Sequence, residues 1–302
     1  MNGLLILDKP AGLTSHDVVA LVRRATGENS VGHLGTLDPM ATGVLPLLLG
    51  KYTRLAQFFS TSEKTYTGTI RFGFATDTYD AEGAAVSSPQ PLGRSIEELR
   101  EMARGFLGDQ MQTPPIFSAK KINGVSAHKL ARAGAPVPVK PARITVHSFE
   151  LTTFDPTADG GALVGFEIRV SAGGYVRSVA HDFGALAGPG AHLASLRRTA
   201  AGPFTLADAI TAEQMKALTP KNAGEPAGGL LALLPHPRTL LPHMPSVTVD
   251  ERIAGQLRNG MPSNLPEFSS AALVKVFTGP TELLCIARRI AGTLMQPTVV
   301  LG

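Results

Sequence analysis

Residues 31–43 contain side chains that could do covalent chemistry. The sequence, VGHLGTLDPMATG, places an imidazole, His33, and a carboxylate, Asp38, in a segment rich in glycine. Glycine lets the backbone approach a ligand closely, and an ionised carboxylate can act as a nucleophile. A structural role fits as well, because an Asp before a Pro commonly opens a turn and a lone His is commonly structural. This segment alone leaves both interpretations open.

An alternating run after residue 64 predicts a β-strand with an aromatic residue on its apolar face. Tyr66, Ile70 and Phe72 fall on one face of this strand, and Thr67 and Arg71 fall on the other. Successive side chains in a strand point to opposite faces, so Tyr66 is predicted to point to the apolar side. The pattern alone favours an ordinary core aromatic at this position.

Positive charge is concentrated in one part of the chain. The formal net charge is +4 and the pI is about 9.3, values compatible with a polyanionic partner that do not require one. Residues 110–149 have no Asp or Glu and six basic residues: Lys120, Lys121, Lys129, Arg132, Lys140 and Arg143. Such a stretch predicts a phosphate-binding surface. On charge alone, a solvated basic face is an equally good interpretation.

Length and composition predict a folded protein with one large and one small domain. The 302 residues are 43% hydrophobic and 17% charged, which is typical of globular proteins, and single cores rarely grow beyond about 250 to 300 residues. Cys285 is the only cysteine, so no intramolecular disulfide and no Cys/His metal cluster are expected. Without a signal segment or a long apolar run, we expect a soluble cytoplasmic protein with no metal and no membrane span.

The elements that must position these residues can be predicted from hydrophobic patterns and helix caps. Strands are expected at residues 3–7, 44–49, 66–74, 144–151 and 163–170, and helices at 15–26, 96–106, 127–133 and 175–186. For the first of these helices, Thr14 three residues ahead of Asp17 resembles a capping box, and Gly27 marks the end. Residues 30–42 are expected to form a loop, and residues 219–246 a partly packed linker. Runs at 272–276, 283–287 and 298–301 predict further strands. The predicted fold class is α+β, with a mixed, largely antiparallel sheet followed by a small β-rich module.

Seven segments, taken in order, resemble the motifs of one known family. They are LDKPAG (7–12), TSHD (14–17), GHLGTLDPMATG (32–43), KTY (64–66), TDTYDAEG (76–83), GYVR (174–177) and LRR (196–198). Together they are similar to the bacterial tRNA pseudouridine 55 synthase family, commonly called TruB. The resemblance spans about residues 3–210, and a match of this length and order is far more specific than any single motif.

The resemblance implies a role for each candidate residue. Asp38 corresponds to the family's nucleophile, Tyr66 to the tyrosine that stacks against the target base, and Arg177 to the arginine that pairs with the aspartate. The substrate-binding residues that the family suggests are His33, Tyr175, Leu196, Lys9, Lys120 and Lys121. In one departure, Ala172 and Gly174 stand where the family usually has a basic residue and a threonine, so a phosphate contact is expected to be missing there.

The resemblance also implies a domain organisation and a substrate. Residues 1–243 would form the pseudouridine synthase catalytic domain, with an RNA-clasping insertion at about 110–143, and residues 244–302 a small PUA-like RNA-binding domain. The substrate would be uridine 55 in the T-arm of tRNA. The chain would act as a monomer, without a cofactor and without a guide RNA.

The reaction explains why residues of these types are needed. Uridine becomes pseudouridine when a carbon–nitrogen glycosidic bond is exchanged for a carbon–carbon bond, and a carboxylate can divide that exchange into two easier steps. A neighbouring guanidinium favours the ionised carboxylate and fixes its orientation. A uridine inside a folded RNA loop must be extruded before an enzyme can reach it.

Three alternatives were considered on the sequence. A catalytically idle RNA-binding factor would be expected to lack Asp38 or Arg177, and both are present. A hydrolase with an aspartate nucleophile would need a second group to activate water, for which residues 31–43 offer only His33. Residues 40–47 and the basic insertion favour a stand-alone enzyme over a guide-RNA-dependent relative.

Overall fold

A computed structural model of the chain describes residues 1–118, 121–122, 125–126, 139–218 and 229–302. The helix predicted at 127–133 lies outside these residues, as do Lys120, Lys129, Arg132 and the side chain of Lys121. Within the described ranges, no helix has the length and apolar character that crossing a membrane requires.

Two β-sheets organise the described part of the chain. The strands are β1 (Gly3–Lys9), β2 (Val31–His33), β3 (Thr42–Leu49), β4 (Lys64–Phe72), β5 (Gly108–Gln112), β6 (Lys121–Ile122), β7 (Val125–Ser126), β8 (Ala142–Pro156), β9 (Ala162–Val170), β10 (Ala191–Ala201), β11 (Phe204–Thr205), β12 (Ile210–Thr211), β13 (Ser246–Val249), β14 (Ser263–Asn264), β15 (Leu273–Thr278), β16 (Glu282–Ala291) and β17 (Leu294–Val300). The large sheet has the order β12-β1-β3-β10-β4-β9-β8-β5, with β2 beside β3 and β11 beside β10. The small sheet has the order β13-β15-β16-β17-β14, and β6 pairs with β7.

The large sheet is mixed and mostly antiparallel, as predicted. Its parallel pairs are β1 with β12 and β3 with β10, and the other pairs are antiparallel. The helices are α1 (Ser15–Thr26), α2 (Ile96–Arg104), α3 (Val176–Ala187), α4 (Ala212–Ala217), α5 (Leu230–Leu233) and α6 (Glu251–Arg258), and 3-10 turns occur at Gly50–Phe58, Leu206–Asp208 and Pro237–Thr239. The α+β fold class predicted from the sequence is therefore confirmed.

Local sequence signals set the bounds of α1. The Thr14 side chain accepts a hydrogen bond from the backbone of Asp17, whose carboxylate in turn accepts one from the Thr14 backbone, which is the predicted capping box. The helix ends at Gly27, whose φ of 68° lies in the left-handed region that favours glycine. Val18, Val22 and other apolar residues of α1 pack into the main core with residues of α2, α3 and the large sheet.

The central strand β10 is not predicted by the sequence pattern. It lies between β3 and β4, yet its sequence, AHLASLRRTAA, has few of the β-branched or aromatic residues that favour strands. Two irregularities in its pairing with β4, between Leu193 and Ser195 and between Arg198 and Ala200, also break the alternation that identifies a strand. The edge strand β5, the helix α6 and the short strand β2 inside the predicted 30–42 loop were likewise not predicted.

The small sheet packs against the large one through a shared apolar cluster. Leu4 and Ile6 of β1 contribute to the cluster from the large sheet, and Phe277, Leu283 and Ile286 contribute from the small one. The small sheet also has a core of its own, together with α6. A β-rich module therefore follows the large sheet, while the division between residues 243 and 244 stays a prediction.

Gly184 lets α3 lie directly against β10. A Cβ atom at this position would overlap the backbone nitrogen of Ala191. We expect Gly184→Ala to lower the free energy of unfolding by about 1 to 3 kcal/mol, because an overpacked contact must be relieved by moving backbone. A suitable control is Gly255 in α6, where a Cβ would meet nothing within 4 Å.

Gly255→Ala should raise the free energy of unfolding by up to about 1 kcal/mol, because alanine is the better helix former. Urea denaturation of both variants measures the two effects. Equal stability of Gly184→Ala and the unsubstituted chain would contradict the close approach of α3 and β10.

Candidate active site

Asp38 lies in a loop that α1 fixes through the preceding residue. The backbone nitrogen of Leu37 donates a hydrogen bond to Ser15 Oγ (2.9 Å), and the carbonyl oxygen of Leu37 lies 3.2 Å from the same hydroxyl. Ser15 is buried, as is the Leu37 side chain. On the far side of Asp38, the backbone of Gly12 donates to the carbonyl oxygen of Pro39 (2.9 Å). The backbone of Asp38 is therefore held between two anchored neighbours.

Lys9 supports the same loop from the interior. Its side chain is completely buried, and its ammonium donates hydrogen bonds to the carbonyl oxygens of Pro10 (2.9 Å), Leu13 (2.5 Å) and Pro39 (3.1 Å). Burial lowers the pKa of Lys9 to about 8. These three contacts connect the Asp38 loop to the end of β1. The substrate-binding role expected of Lys9 stays a prediction.

Asp38 and Arg177 are brought into direct contact. Arg177 lies in the first turn of α3, and its Nη2 atom is 2.9 Å from Asp38 Oδ1. Arg177 also donates to the carbonyl oxygens of Thr78 (3.2 Å) and Phe117 (3.0 Å). The Arg177 side chain is 5% exposed and the Asp38 side chain 31% exposed. The guanidinium is thus held from inside the protein while the carboxylate remains open to a ligand.

Asp80 is a second carboxylate at this guanidinium, and no role was assigned to it from the sequence. Its Oδ2 atom lies 3.6 Å from Arg177 Nη1, and both side chains are 5% exposed. Thr78 Oγ1 and the backbone nitrogen of Glu82 donate to Asp80 Oδ1 (2.6 and 3.1 Å). Tyr79 adopts a φ of 67°, a left-handed conformation that is rare for an aromatic residue. The signal for Asp80 was its place in the TDTYDAEG segment, but only the fold shows that it faces Arg177.

Burial and the arginine act in opposite directions on the Asp38 carboxyl. Burial raises the pKa of Asp38 above its usual value, the positive charge of Arg177 opposes that shift, and the charge of Asp80 adds to it. Loss of the Arg177 contact would therefore favour the protonated carboxyl, which is a poor nucleophile. The ion pair therefore favours the charged form of Asp38 in a site that otherwise disfavours charge.

A cavity of about 430 Å³ opens in front of Asp38. Tyr66, Tyr175 and Leu196 line it together with Asp38 and Arg177. Tyr66 is 8% exposed and belongs to the main core, which confirms that it points to the apolar side of β4. Ala172 and Gly174, the two departures from the family pattern, also line the cavity.

His33 lies on the wall of the same cavity. Burial, with smaller contributions from the positive charges of His16 and Arg198, lowers the pKa of His33 below its usual value. Its Nδ1 atom is buried and has no hydrogen-bond partner among the described residues. A neutral imidazole can donate or accept one hydrogen bond at this position. Across the part of the chain that the structure describes, no group of three or more His, Cys, Asp or Glu side chains is placed to hold a metal ion.

The hydroxyl of Ser15 provides a test of the loop anchor that does not depend on any activity. Ser15→Ala leaves the backbone N–H of Leu37 without its partner, so we expect the Leu37 amide to exchange with solvent at least about tenfold faster and the free energy of unfolding to fall by about 1 to 2 kcal/mol. Hydrogen exchange followed by NMR measures the first effect.

Ser95 is a matched control for this substitution. Its hydroxyl accepts a hydrogen bond from the backbone of Glu98 at the start of α2, remote from Asp38 in the chain. Ser95→Ala should cost a similar free energy of unfolding, about 1 kcal/mol, without changing exchange at Leu37. Faster Leu37 exchange in both variants would mean that the Ser15 hydroxyl is no specific anchor.

Comparison with known proteins agrees with these motifs. Residues 23–176 match the family described as TruB family pseudouridylate synthase (N terminal domain), and residues 177–235 match the tRNA pseudouridylate synthase B C-terminal domain. The chain is 42% identical to tRNA pseudouridine synthase B of Solibacter usitatus over 308 aligned residues, with 100% of both chains covered. It is 48% identical to the protein of the same name from Opitutus terrae, covering 72% of this chain and 88% of that one.

The fold also has solved counterparts. A crystal structure of the archaeal box H/ACA sRNP Nop10–Cbf5 complex contains a chain that superposes with a TM-score of 0.69, at 23% identity, with 99% of this chain and 86% of that chain covered. This likeness concerns the fold alone. The family match, the identity to the two bacterial proteins and the order of the motifs agree: the chain belongs to the TruB family of pseudouridylate synthases.

Proposed function

We propose that this protein converts uridine 55 in the T-arm of tRNA into pseudouridine, with Asp38 as the nucleophile. The observation that carries the proposal is the contact between Asp38 and Arg177 at the wall of a cavity that Tyr66 also lines. The related proteins from Solibacter usitatus and Opitutus terrae are named tRNA pseudouridine synthase B. Their similarity supports tRNA as the substrate of this chain.

The cavity suits a nucleotide that has left its stack. Its volume of about 430 Å³ falls in the range of about 300 to 1,000 Å³ that is usual for small-molecule sites. Base-modifying enzymes extrude their target because its reactive atoms are inaccessible inside a folded nucleic acid. We propose that the extruded uracil lies against Tyr66, with Tyr175 and Leu196 forming the rest of its pocket. His33, with its lowered pKa and free Nδ1 atom, would offer a hydrogen bond near the displaced base.

The proposed reaction is an isomerisation that balances without a co-reactant. The bond between ribose C1′ and uracil N1 breaks, the detached base turns in place, and a bond forms between C1′ and C5. The proton on C5 is lost, and N1 gains one. Asp38 bonds transiently either to C1′ or to the uracil ring and is released at the end. Arg177 keeps the carboxylate ionised and oriented.

The basic residues between 110 and 149 are proposed to hold the RNA backbone. Phosphate contacts supply much of the affinity for RNA and fix its position without reading its sequence. Lys120 and Lys121 belong to this stretch, which we propose acts as an insertion that clasps the T-arm. We further propose that residues 244–302 form a PUA-like RNA-binding domain.

We propose that the protein acts alone, as a monomer, on cytoplasmic tRNA and without a guide RNA. The identities support this choice. The chain is 42% and 48% identical to the two bacterial tRNA pseudouridine synthases but 23% identical to the archaeal Cbf5-complex chain.

The test of the proposed function is incubation of the purified protein with an unmodified tRNA transcript, followed by mapping of pseudouridine at nucleotide resolution.

Asp38→Asn should abolish pseudouridine formation while leaving tRNA affinity within about threefold, because an amide retains the shape of the carboxylate but is not a nucleophile. Single-turnover assays at saturating tRNA and filter-binding measurements test the two parts. Asp159→Asn is a matched control, because Asp159 is also paired with an arginine, Arg71, and lies outside the cavity lining. Turnover by Asp38→Asn at more than about one thousandth of the rate of the unsubstituted protein would contradict the nucleophile assignment.

Replacement of Lys120, Lys121 and Lys129 by Gln should weaken tRNA binding and make it less sensitive to salt. Each lost phosphate contact is expected to reduce the slope of log affinity against log salt concentration by about 1. Replacement of Arg94, Arg104 and Lys216 by Gln is a control that removes the same total charge elsewhere and should leave the slope unchanged. Identical slopes for the two triple variants would exclude the insertion as the specific phosphate-binding surface.

A further inference from the structure

We propose that Gln112 is a positioning residue for catalysis, which holds the first turn of α3 so that Arg177 meets Asp38. The inference rests on the proposed function of the site and adds a residue that does not line the cavity. Gln112 is the last residue of β5, and its side chain is buried.

Gln112 makes two hydrogen bonds to the backbone of a single residue, Tyr175. The Gln112 side-chain nitrogen Nε2 donates to the carbonyl oxygen of Tyr175 (3.0 Å), and the backbone nitrogen of Tyr175 donates to Gln112 Oε1 (2.8 Å). One primary amide thus satisfies both backbone groups of Tyr175. Two hydrogen bonds in opposite directions fix the position and the orientation of the Tyr175 backbone more closely than one hydrogen bond would.

The clamped residue is the point from which α3 starts. Tyr175 is the N-cap of α3, and its side chain makes no capping hydrogen bond. The first backbone N–H groups of a helix have no partner within the helix, so groups from elsewhere determine how firmly a helix start is held. Arg177 is two residues further on, in the first turn. A shift of the Tyr175 backbone would therefore move the Arg177 side chain relative to Asp38.

The residues after Gln112 extend the same contact. Ser178 Oγ donates to the carbonyl oxygen of Thr113 (2.8 Å), and Arg177 Nη2 donates to the carbonyl oxygen of Phe117 (3.0 Å). The same Nη2 atom makes the 2.9 Å contact with Asp38. Residues 112–117 therefore make hydrogen bonds to three groups at the start of α3: the Tyr175 backbone, the Ser178 hydroxyl and the Arg177 guanidinium. Gln112 is the member of this group whose contact runs through its side chain, so a substitution can remove that contact without replacing a residue that lines the cavity.

Gln112 also stands where the basic stretch joins the large sheet. It pairs with Ala142 at the start of β8, so the chain leaves the sheet and returns to it at this pair. The basic residues that hold the RNA backbone and the catalytic Arg177 would therefore share Gln112 as an anchor. Buried amides need hydrogen-bond partners, and the Tyr175 backbone provides one for Gln112 Nε2 and one for Gln112 Oε1.

The two-way hydrogen bonding dictates the test variants. Q112A removes both bonds, and Q112E keeps the size of the side chain but offers an ionised group that can only accept. We expect each substitution to lower kcat about tenfold or more and to change KM for tRNA less than about threefold, because the contact acts on the reacting groups rather than on RNA affinity. Gln214 is a control outside this region: its Oε1 atom accepts from the backbone nitrogen of Thr211 (2.7 Å) at the start of α4, so Q214A should keep normal kcat.

A pH profile separates positioning from a general loss of stability. Arg177 lowers the pKa of Asp38, while Asp80 raises it and Lys9 lowers it. A weaker Arg177 contact in Q112A should raise the pKa of Asp38, so activity should be lost at a higher pH on the acid side than in the unsubstituted protein. A merely structural role would lower the melting temperature but leave this acid limb in place.

Three outcomes would overturn the inference. These are normal kcat in Q112A, normal kcat in Q112E, or a lowered kcat with an unshifted acid limb. Failure of the proposed function itself gives a different result, because the unsubstituted protein would then form no pseudouridine in any tRNA transcript. Active unsubstituted protein with fully active Q112A would remove only the role of Gln112.

Discussion

The ion pair between Asp38 and Arg177 is the interaction on which the rest of the site depends. Burial and the nearby charge of Asp80 raise the pKa of Asp38, and Arg177 is the group in direct contact that opposes them. A charge pair inside a protein is expensive to form unless its partners are well oriented and otherwise hydrogen-bonded. The carbonyl oxygens of Thr78 and Phe117 accept from the two terminal nitrogens of the guanidinium, while its Nε atom is buried with no partner among the described residues.

Much of the surrounding fold can be understood as support for this pair. The two residues are 139 positions apart in the chain, and different elements fix each of them. Ser15 and Lys9 hold the Asp38 loop against α1 and β1, whereas Gln112 and Gly184 determine where α3 lies. The cavity in front of Asp38 is lined in part by β4, which carries Tyr66, and by β10, which carries Leu196. The geometry of one contact thus depends on the packing of the large sheet and two of its helices.

The sequence predicted those parts of the molecule whose signals are local. Thr14, Asp17 and Gly27 identified α1, and the alternation through Tyr66 identified β4 and the face to which Tyr66 points. The pairing of Asp38 with Arg177 came from family resemblance, because no spacing rule relates residues so distant in the chain. Asp80 and Gln112 were not recognised for the same reason, and β10 escaped because its bulges disrupt the alternating pattern. The complete burial of Lys9 could not be read from its motif either.

The position of β10 between β3 and β4 has a consequence for biosynthesis. A ribosome makes the protein from its N-terminus, so β3 and β4 emerge long before residues 191–201, the strand that joins them, have been translated. Until then the two halves of the large sheet present open edges, which are prone to pair with other chains. Completion of the cavity must therefore wait for about two thirds of the polypeptide to be synthesised, and a truncated product that ends earlier would expose unpaired strands and lack Leu196.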